Sequence, residues 1–236
     1  MCFTRRRMYA RPAVHHPHRR FLSILLALFC VVFTALAVAP SYRADWLLEN
    51  WLVFALVALL VASYPRAPLS RGSYLAIFVF LCLHELGAHY TYSEVPYDRW
   101  LEVAVGRSLN ATMGWERNHY DRLVHFLYGA LIAYPIRELF LRLTDDRGFW
   151  SYFVPLNLVV ATSAWYELIE WAAAATFGGD LGMAYLGTQG DVWDAHRDTA
   201  LATLGAALGL AATATVNAVR GRDDAARWVD ARRAAA

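Results

Sequence analysis

Six apolar runs, each about as long as a helix needs to cross a bilayer, constrain this chain more than any other feature. They cover residues 21–39, 46–63, 73–92, 122–143, 151–177 and 194–219. Polar residues gather between them, in a chain that is 58% hydrophobic with a positive mean hydropathy. That apolar share exceeds the usual one for soluble domains. Inside a bilayer every backbone N–H and C=O must be satisfied by the protein itself, and a helix does so locally. The expected fold is therefore all-α: a polytopic membrane helical bundle with about six transmembrane helices over residues 21–219. Residues 1–20 and 220–236 are expected to be basic cytoplasmic tails.

Orientation follows from arginine, since the chain has 22 basic residues and none is lysine. The N-terminal tail holds six Arg and three His. Arg66, Arg71, Arg142 and Arg147 lie in the connections at the same end, with five more Arg in the C-terminal tail. At the other end stand Arg43 and a connection, 93–120, in which acids outnumber bases. The positive-inside rule then places both termini in the cytoplasm. Ala37-Val-Ala39 resembles the end of a cleavable leader, but Pro40 would occupy the first mature position, so the first run is expected to persist as a helix. Residues 99–105 are expected to form a short interfacial helix, and Pro135 to kink the fourth span.

With that topology, four spans deliver ionisable residues to one depth on the non-cytoplasmic side. His84, Glu85 and His89 end the third span, and Asp121 and His125 open the fourth. Glu167 and Glu170 lie near the outer end of the fifth, and Asp191, Asp194 and Asp198 open the sixth. Residues three or four apart share one face of a helix. Helical bundles build metal sites from inward carboxylates and imidazoles at such spacings, and this donor set suits zinc, manganese or iron. His84-Glu85-x-x-x-His89 is not the metalloprotease His-Glu-x-x-His. On a helix His84 and His89 stand about 140° apart and Glu85 and His89 about 40°, so Glu85 and His89 are the expected pair.

A structural reading stands beside the functional one: buried acids and imidazoles can bond to each other, or to Arg122 and Arg197, merely to tie helices together. Arg137 and Glu138 are expected to snorkel to the cytoplasmic interface. Gly205 and Gly209 signal close helix packing. Gly182 to Gly190 would allow a short lid over the site. The three cysteines form neither a disulfide framework nor a metal motif, and nothing beyond arginine content points to nucleic acid.

His84-Glu-Leu-Gly-Ala-His89-Tyr-Thr-Tyr, Arg117-Asn-His-Tyr-Asp-Arg-Leu-Val-His125-Phe, Tyr166-Glu-Leu-Ile-Glu170-Trp and Leu186-Gly-Thr-Gln-Gly-Asp-Val-Trp-Asp-Ala195, in this order, resemble the bacterial YjdF-type inner-membrane proteins. The resemblance covers residues 73–210 and implies a multi-pass topology in the bacterial inner membrane, but no reaction. Asp121-Arg-x-x-His125-Phe, a helix with glutamates, and Asp198 ahead of a final helix are also similar to VanZ-like membrane proteins. There Lys stands where Arg122 does and Asn where Ala202 does.

Three functions fit these residues. The first is a metal-dependent enzyme acting hydrolytically on a lipid-linked or cell-envelope substrate. His84, Glu85, His89, Asp121, His125, Asp191, Asp194 and Asp198 would hold one or two divalent ions, and Glu167 or Glu170 would serve as general base. The second is cation, proton or small-molecule transport or binding, although no internal repeat is evident and the acids crowd one interface. The third is a structural membrane factor without catalysis. Membrane lipids are partners in every case; oligomeric state is left open.

Overall fold

A computed structural model describes residues 18–177, 179 and 188–234. The described helices are α1 (Arg19–Leu36), α2 (Arg43–Ser63), α3 (Arg71–His89), α4 (Tyr97–Val105), α5 (Leu109–Met113), α6 (Tyr120–Leu143), α7 (Trp150–Phe177), α8 (Asp194–Arg220) and α9 (Asp224–Arg233). No strand occurs among the described residues. By length and composition α1, α2, α3, α6 and α8 can each cross a membrane. α7, at 28 residues the longest helix, is the sixth long element and matches the fifth expected span. The expected interfacial helix is α4, with α5 following it. The basic stretch 1–17 and residues 178 and 180–187, which include most of the expected lid from Gly182 to Gly190, lie outside the described residues.

Contacts at both ends fix an alternating arrangement of the long helices. At one end His18, which precedes α1, stacks on Trp228 of α9 at 4.9 Å and accepts from Arg71 at 2.9 Å. There too Arg142 at the end of α6 donates to the Pro68 carbonyl at 2.8 Å. At the other end the His89 ring bonds to the Leu36 carbonyl at 2.7 Å, and the Ser41 amide donates to the His89 carbonyl at 2.9 Å. The first end gathers the arginine-rich connections and is called the tail end; the second is the site end.

The tail end differs from expectation in two ways. Residues 224–233 form a helix docked on α6 rather than a free tail. Asp223 caps it, accepting from the Ala226 amide, and Ala225, Ala226 and Val229 bury against Leu141. Arg233 then donates to the carbonyls of Leu141, Arg142 and Thr144, satisfying acceptors that the end of α6 would otherwise leave open. Arg137 and Glu138 do not snorkel: both are fully buried. Arg137 pairs with Asp223 and lies 4.1 Å over the Tyr152 ring, while Glu138 accepts from the Ser70 amide at 2.7 Å and the Ser73 hydroxyl at 2.5 Å. A buried charge needs such partners, and the docked helix supplies one of them.

The tightest crossing is α6 on α8. A methyl on Gly129 would lie 1.9 Å from the Ala202 carbonyl oxygen, and one on Gly205 would lie 2.0 Å from that of Phe126. Without a hydrophobic drive between helices in lipid, such small residues allow backbones to meet and dispersion to hold them. Gly205 and Gly209 act as their spacing predicts, against Phe126 and Ala130 of α6, and Gly129 makes the converse approach from α6 to Ala202 and Ala206. Ala133, Val159, Ala202, Ala206 and Leu210 carry the core on toward the tail end. His125 stands one turn before Gly129, and Asp198 one turn before Ala202, so this crossing sets how far apart those two side chains are.

Candidate functional site

At the site end, α6 and α8 bring Asp121, His125 and Asp198 together, with one ligand atom from each lying within 4.8 Å of the others. α7 adds Glu167. The His125 Nε2 atom is 3.5 Å from an oxygen of Asp121 and 3.5 Å from Oε1 of Glu167. These separations are too long for strong hydrogen bonds. They match the edge of a coordination polyhedron, since tetrahedral ligands at about 2.0–2.1 Å from an ion lie roughly 3.4 Å apart. Asp198 Oδ1 and Glu167 Oε1 are buried with no hydrogen-bond partner. A donor set of carboxylates and one imidazole, partly orphaned and converging, fits a divalent cation. Glu170, one turn further along α7, lies beside Glu167 within hydrogen-bonding reach.

A second polar group adjoins the first through α2 and α3. Asp45, Glu49, Asn50, His84 and Glu85 are all buried, and Glu85 is fully so. Tyr166 on α7 donates to Glu49 at 2.6 Å. The Tyr92 hydroxyl bonds to His84 Nδ1 at 2.5 Å. That contact depends on Gly87: a methyl there would lie 2.5 Å from the Tyr92 ring, which folds back over α3. His84 Nε2, both oxygens of Glu85, Asp45 Oδ1 and Asn50 Oδ1 are buried without hydrogen bonds. Asp45, Glu49 and Asn50 were not among the residues expected at the site. Their signal was present in the acids at 45 and 49, four apart at the start of an apolar run.

Asp191 and Asp194 sit instead in a network of arginines. Asp191 pairs with Arg122, Arg197 and Arg117, and Asp194 with Arg117 at 2.6 Å. Burial raises the Asp191 carboxyl, but the Trp193 amide and the three guanidinium groups outweigh it and hold the group below the ordinary carboxylate range. His119 is pushed down by burial and by Arg122 and Arg117, which keeps its ring neutral near pH 7. One oxygen of each of these two acids, Asp191 Oδ2 and Asp194 Oδ1, is thus taken by guanidinium groups, contacts of the kind that tie helices together. His89 is also apart from the cluster: its ring turns to the end of α1, so Glu85 neighbours Asn50 and not His89. The expected eight-ligand set thus separates into a converging core of Asp121, His125 and Asp198, an adjoining pair in His84 and Glu85, and three residues with other partners.

A chamber of about 450 Å³ opens beneath these groups between α2, α3, α6 and α7. His84, Tyr92, Asp121 and His125 line one end, and Leu52, Val53, Leu56 and Val124 its walls.

Residues 21–218 match the family described as "Predicted membrane protein (DUF2238)". The chain belongs to that family. It is also 36% identical, over 185 residues, to the "Inner membrane protein YjdF" of Escherichia coli (strain K12), covering 78% of this chain and 83% of the relative. No solved structure matches it significantly. Membership in DUF2238, with the long apolar helices, makes this a multi-pass membrane protein and accords with an inner-membrane location. All four motifs quoted above lie inside the matched region. The VanZ-like similarity rests on its short motif alone.

Proposed function

We propose that this DUF2238 protein binds a divalent metal ion through Asp121, His125 and Asp198 and hydrolyses a lipid-linked or cell-envelope substrate at the periplasmic face. One observation carries the reading: a ligand atom from each of Asp121, His125 and Asp198 lies within 4.8 Å of the others, with His125 Nε2 3.5 Å from Asp121, too far for a strong hydrogen bond. Zinc, manganese or iron suits the donors. The arginine distribution supports periplasmic placement of the site end and cytoplasmic placement of both termini.

An ion held there would polarise the bond to be cleaved and favour deprotonation of water. Glu167, beside His125, takes the proton of the attacking water. Glu170, in reach of Glu167, passes it to the leaving oxygen. Water thus supplies the oxygen added to the acyl or phosphoryl group, and its proton leaves with the released alcohol.

The test is metal analysis of protein purified without chelator, followed by assay against ester- and phosphate-linked envelope lipids. The expected result is bound zinc, manganese or iron that falls to background in Asp198→Asn and His125→Ala, together with metal-dependent hydrolysis. A folded wild-type protein that retains none of these ions, and whose thermal stability ignores their addition, would overturn it.

A further inference from the structure

The chamber has the shape and the chemistry of a binding site for one aliphatic chain. On α6 it runs from Asp121 to Tyr128 and on α7 from Thr162 to Ile169. Seven residues of helix rise about 10 Å. Its far end is closed by Tyr128, which shares a 2.6 Å hydrogen bond with Thr162 and packs against Phe80 at 5.3 Å between ring centres. The hydroxyls of that floor are therefore satisfied by each other and present carbon to the interior. Between floor and roof the walls are Leu52, Val53, Leu56, Leu81, Val124 and Ile169. The roof is polar: Asp121 and His125 belong to the proposed metal site, and His84 Nε2 is buried there without a partner.

Its open side faces lipid. α2 and α7 share no extensive packing. One bond that crosses between them among the described residues is the Tyr166 hydroxyl donating to Glu49 at 2.6 Å, near the roof. Beside this gap Trp165 lines the chamber and is 65% exposed at membrane depth, as is Leu168 at 51%. An apolar chamber of this size takes an apolar occupant, and in a bilayer the abundant one is a lipid chain. A length of about 10 Å admits the head-proximal part of one chain and not a whole lipid.

We infer that a membrane lipid enters sideways between α2 and α7, lays one aliphatic chain in this chamber, and so presents the junction of its head and chain to His84, Asp121 and His125. This names the substrate class of the proposed site and rests on that reading for the reaction, but not for the binding. Without a cation the carboxylates of the roof hold an anionic head toward the interface, and the aliphatic chain lodges in the chamber in either case.

The test is photocrosslinking of the full chain in liposomes of phosphatidylglycerol bearing a diazirine in the head-proximal third of one chain. Expected adducts fall on chamber residues Leu52, Leu56, Val124 and Ile169, in addition to outward residues such as Phe54 and Leu168. Val124→Trp, which fills the chamber, should cut chamber adducts at least tenfold and leave outward ones unchanged. Leu56→Trp is a second plug from another helix, and unchanged outward labelling shows that either variant is folded. Adducts confined to outward residues, or chamber adducts indifferent to both plugs, would overturn the inference. Chamber labelling in a protein that binds no metal would sink the catalytic reading and leave this one standing.

Discussion

Gly129 of α6 and Ala202 of α8 meet so closely that the glycine has no room for a methyl group, the carbonyl oxygen of Ala202 lying 1.9 Å from where that methyl would be. The obstacle is backbone, which cannot rotate out of the way. Gly129→Ala must push α6 from α8, at a cost of about 1–3 kcal/mol for overpacking. Because His125 and Asp198 ride one turn beyond this crossing, the same change widens the gap between them. The expected outcome is a lower unfolding midpoint together with loss of bound metal, measured by thermal denaturation and elemental analysis. Normal metal content would show that the crossing does not set the site.

Glu167 is assigned to proton transfer and not to holding the ion. Glu167→Gln keeps its size and should keep metal content near wild type while lowering hydrolysis about 10²–10⁴-fold, the usual weight of a general base. Metal content falling in parallel with rate would instead make Glu167 a ligand.

The arginine network predicts a pH dependence with a definite sign. Asp191 has its folded value lowered by the Trp193 amide and by Arg197, Arg122 and Arg117, after burial has worked the other way. Its contribution is therefore fully present above the ordinary aspartate value of about 3.9 and is lost as pH falls through the lowered folded value. Amide-exchange protection factors at residues 188–193, corrected for the intrinsic pH dependence of exchange, should be flat from neutrality down to that range and fall below it. In Asp191→Asn the same amides should exchange quickly throughout, with no acid step.

At the tail end, Asp223→Asn leaves Arg137 charged and fully buried beside a neutral partner. A loss of about 3 kcal/mol is expected, at the low end for a broken buried pair because Asp223 is partly exposed. Arg137→Met in the same chain should recover part of it, which unfolding of the single and double variants would measure.

The six spans were legible because lipid imposes one rule on every residue in them, and length and apolarity alone report it. Asp121, His125 and Asp198 were legible for a related reason: a carboxylate or imidazole in an apolar helix needs a partner, and matched depth says where to find one. Which acids would converge was not. Asp191 and Asp194 share the helical spacing of Asp198, but whether an arginine or an open space faces each depends on how 117–122 folds across the end of α8. His84 and His89 were ranked by angle on an ideal helix, which cannot see that α1 ends beside His89. Arg137 and Glu138 were misread since their partners, Asp223 and Ser70, are distant in sequence and outside the spans. Gly129 escaped notice because a single glycine in an apolar run carries no signal until the facing helix is known.

The two ends of the bundle are finished differently. At the tail end Arg137, Glu138, Arg142 and Arg233 each have a carboxylate, hydroxyl, amide or carbonyl within reach. Among the described residues, the buried atoms left without a bond at the tail end are the Nε atoms of Arg137, Arg142 and Arg232, whereas at the site end they include both carboxylate oxygens of Glu85, one of Asp198 and His84 Nε2. Cooperative unfolding should therefore not begin uniformly along the spans: the half nearest the site opens first and the half nearest α9 last. That gradient makes the docked C-terminal helix the keel of the molecule, steadying α6 and the connections beside it while the opposite rim remains free to close on whatever completes it.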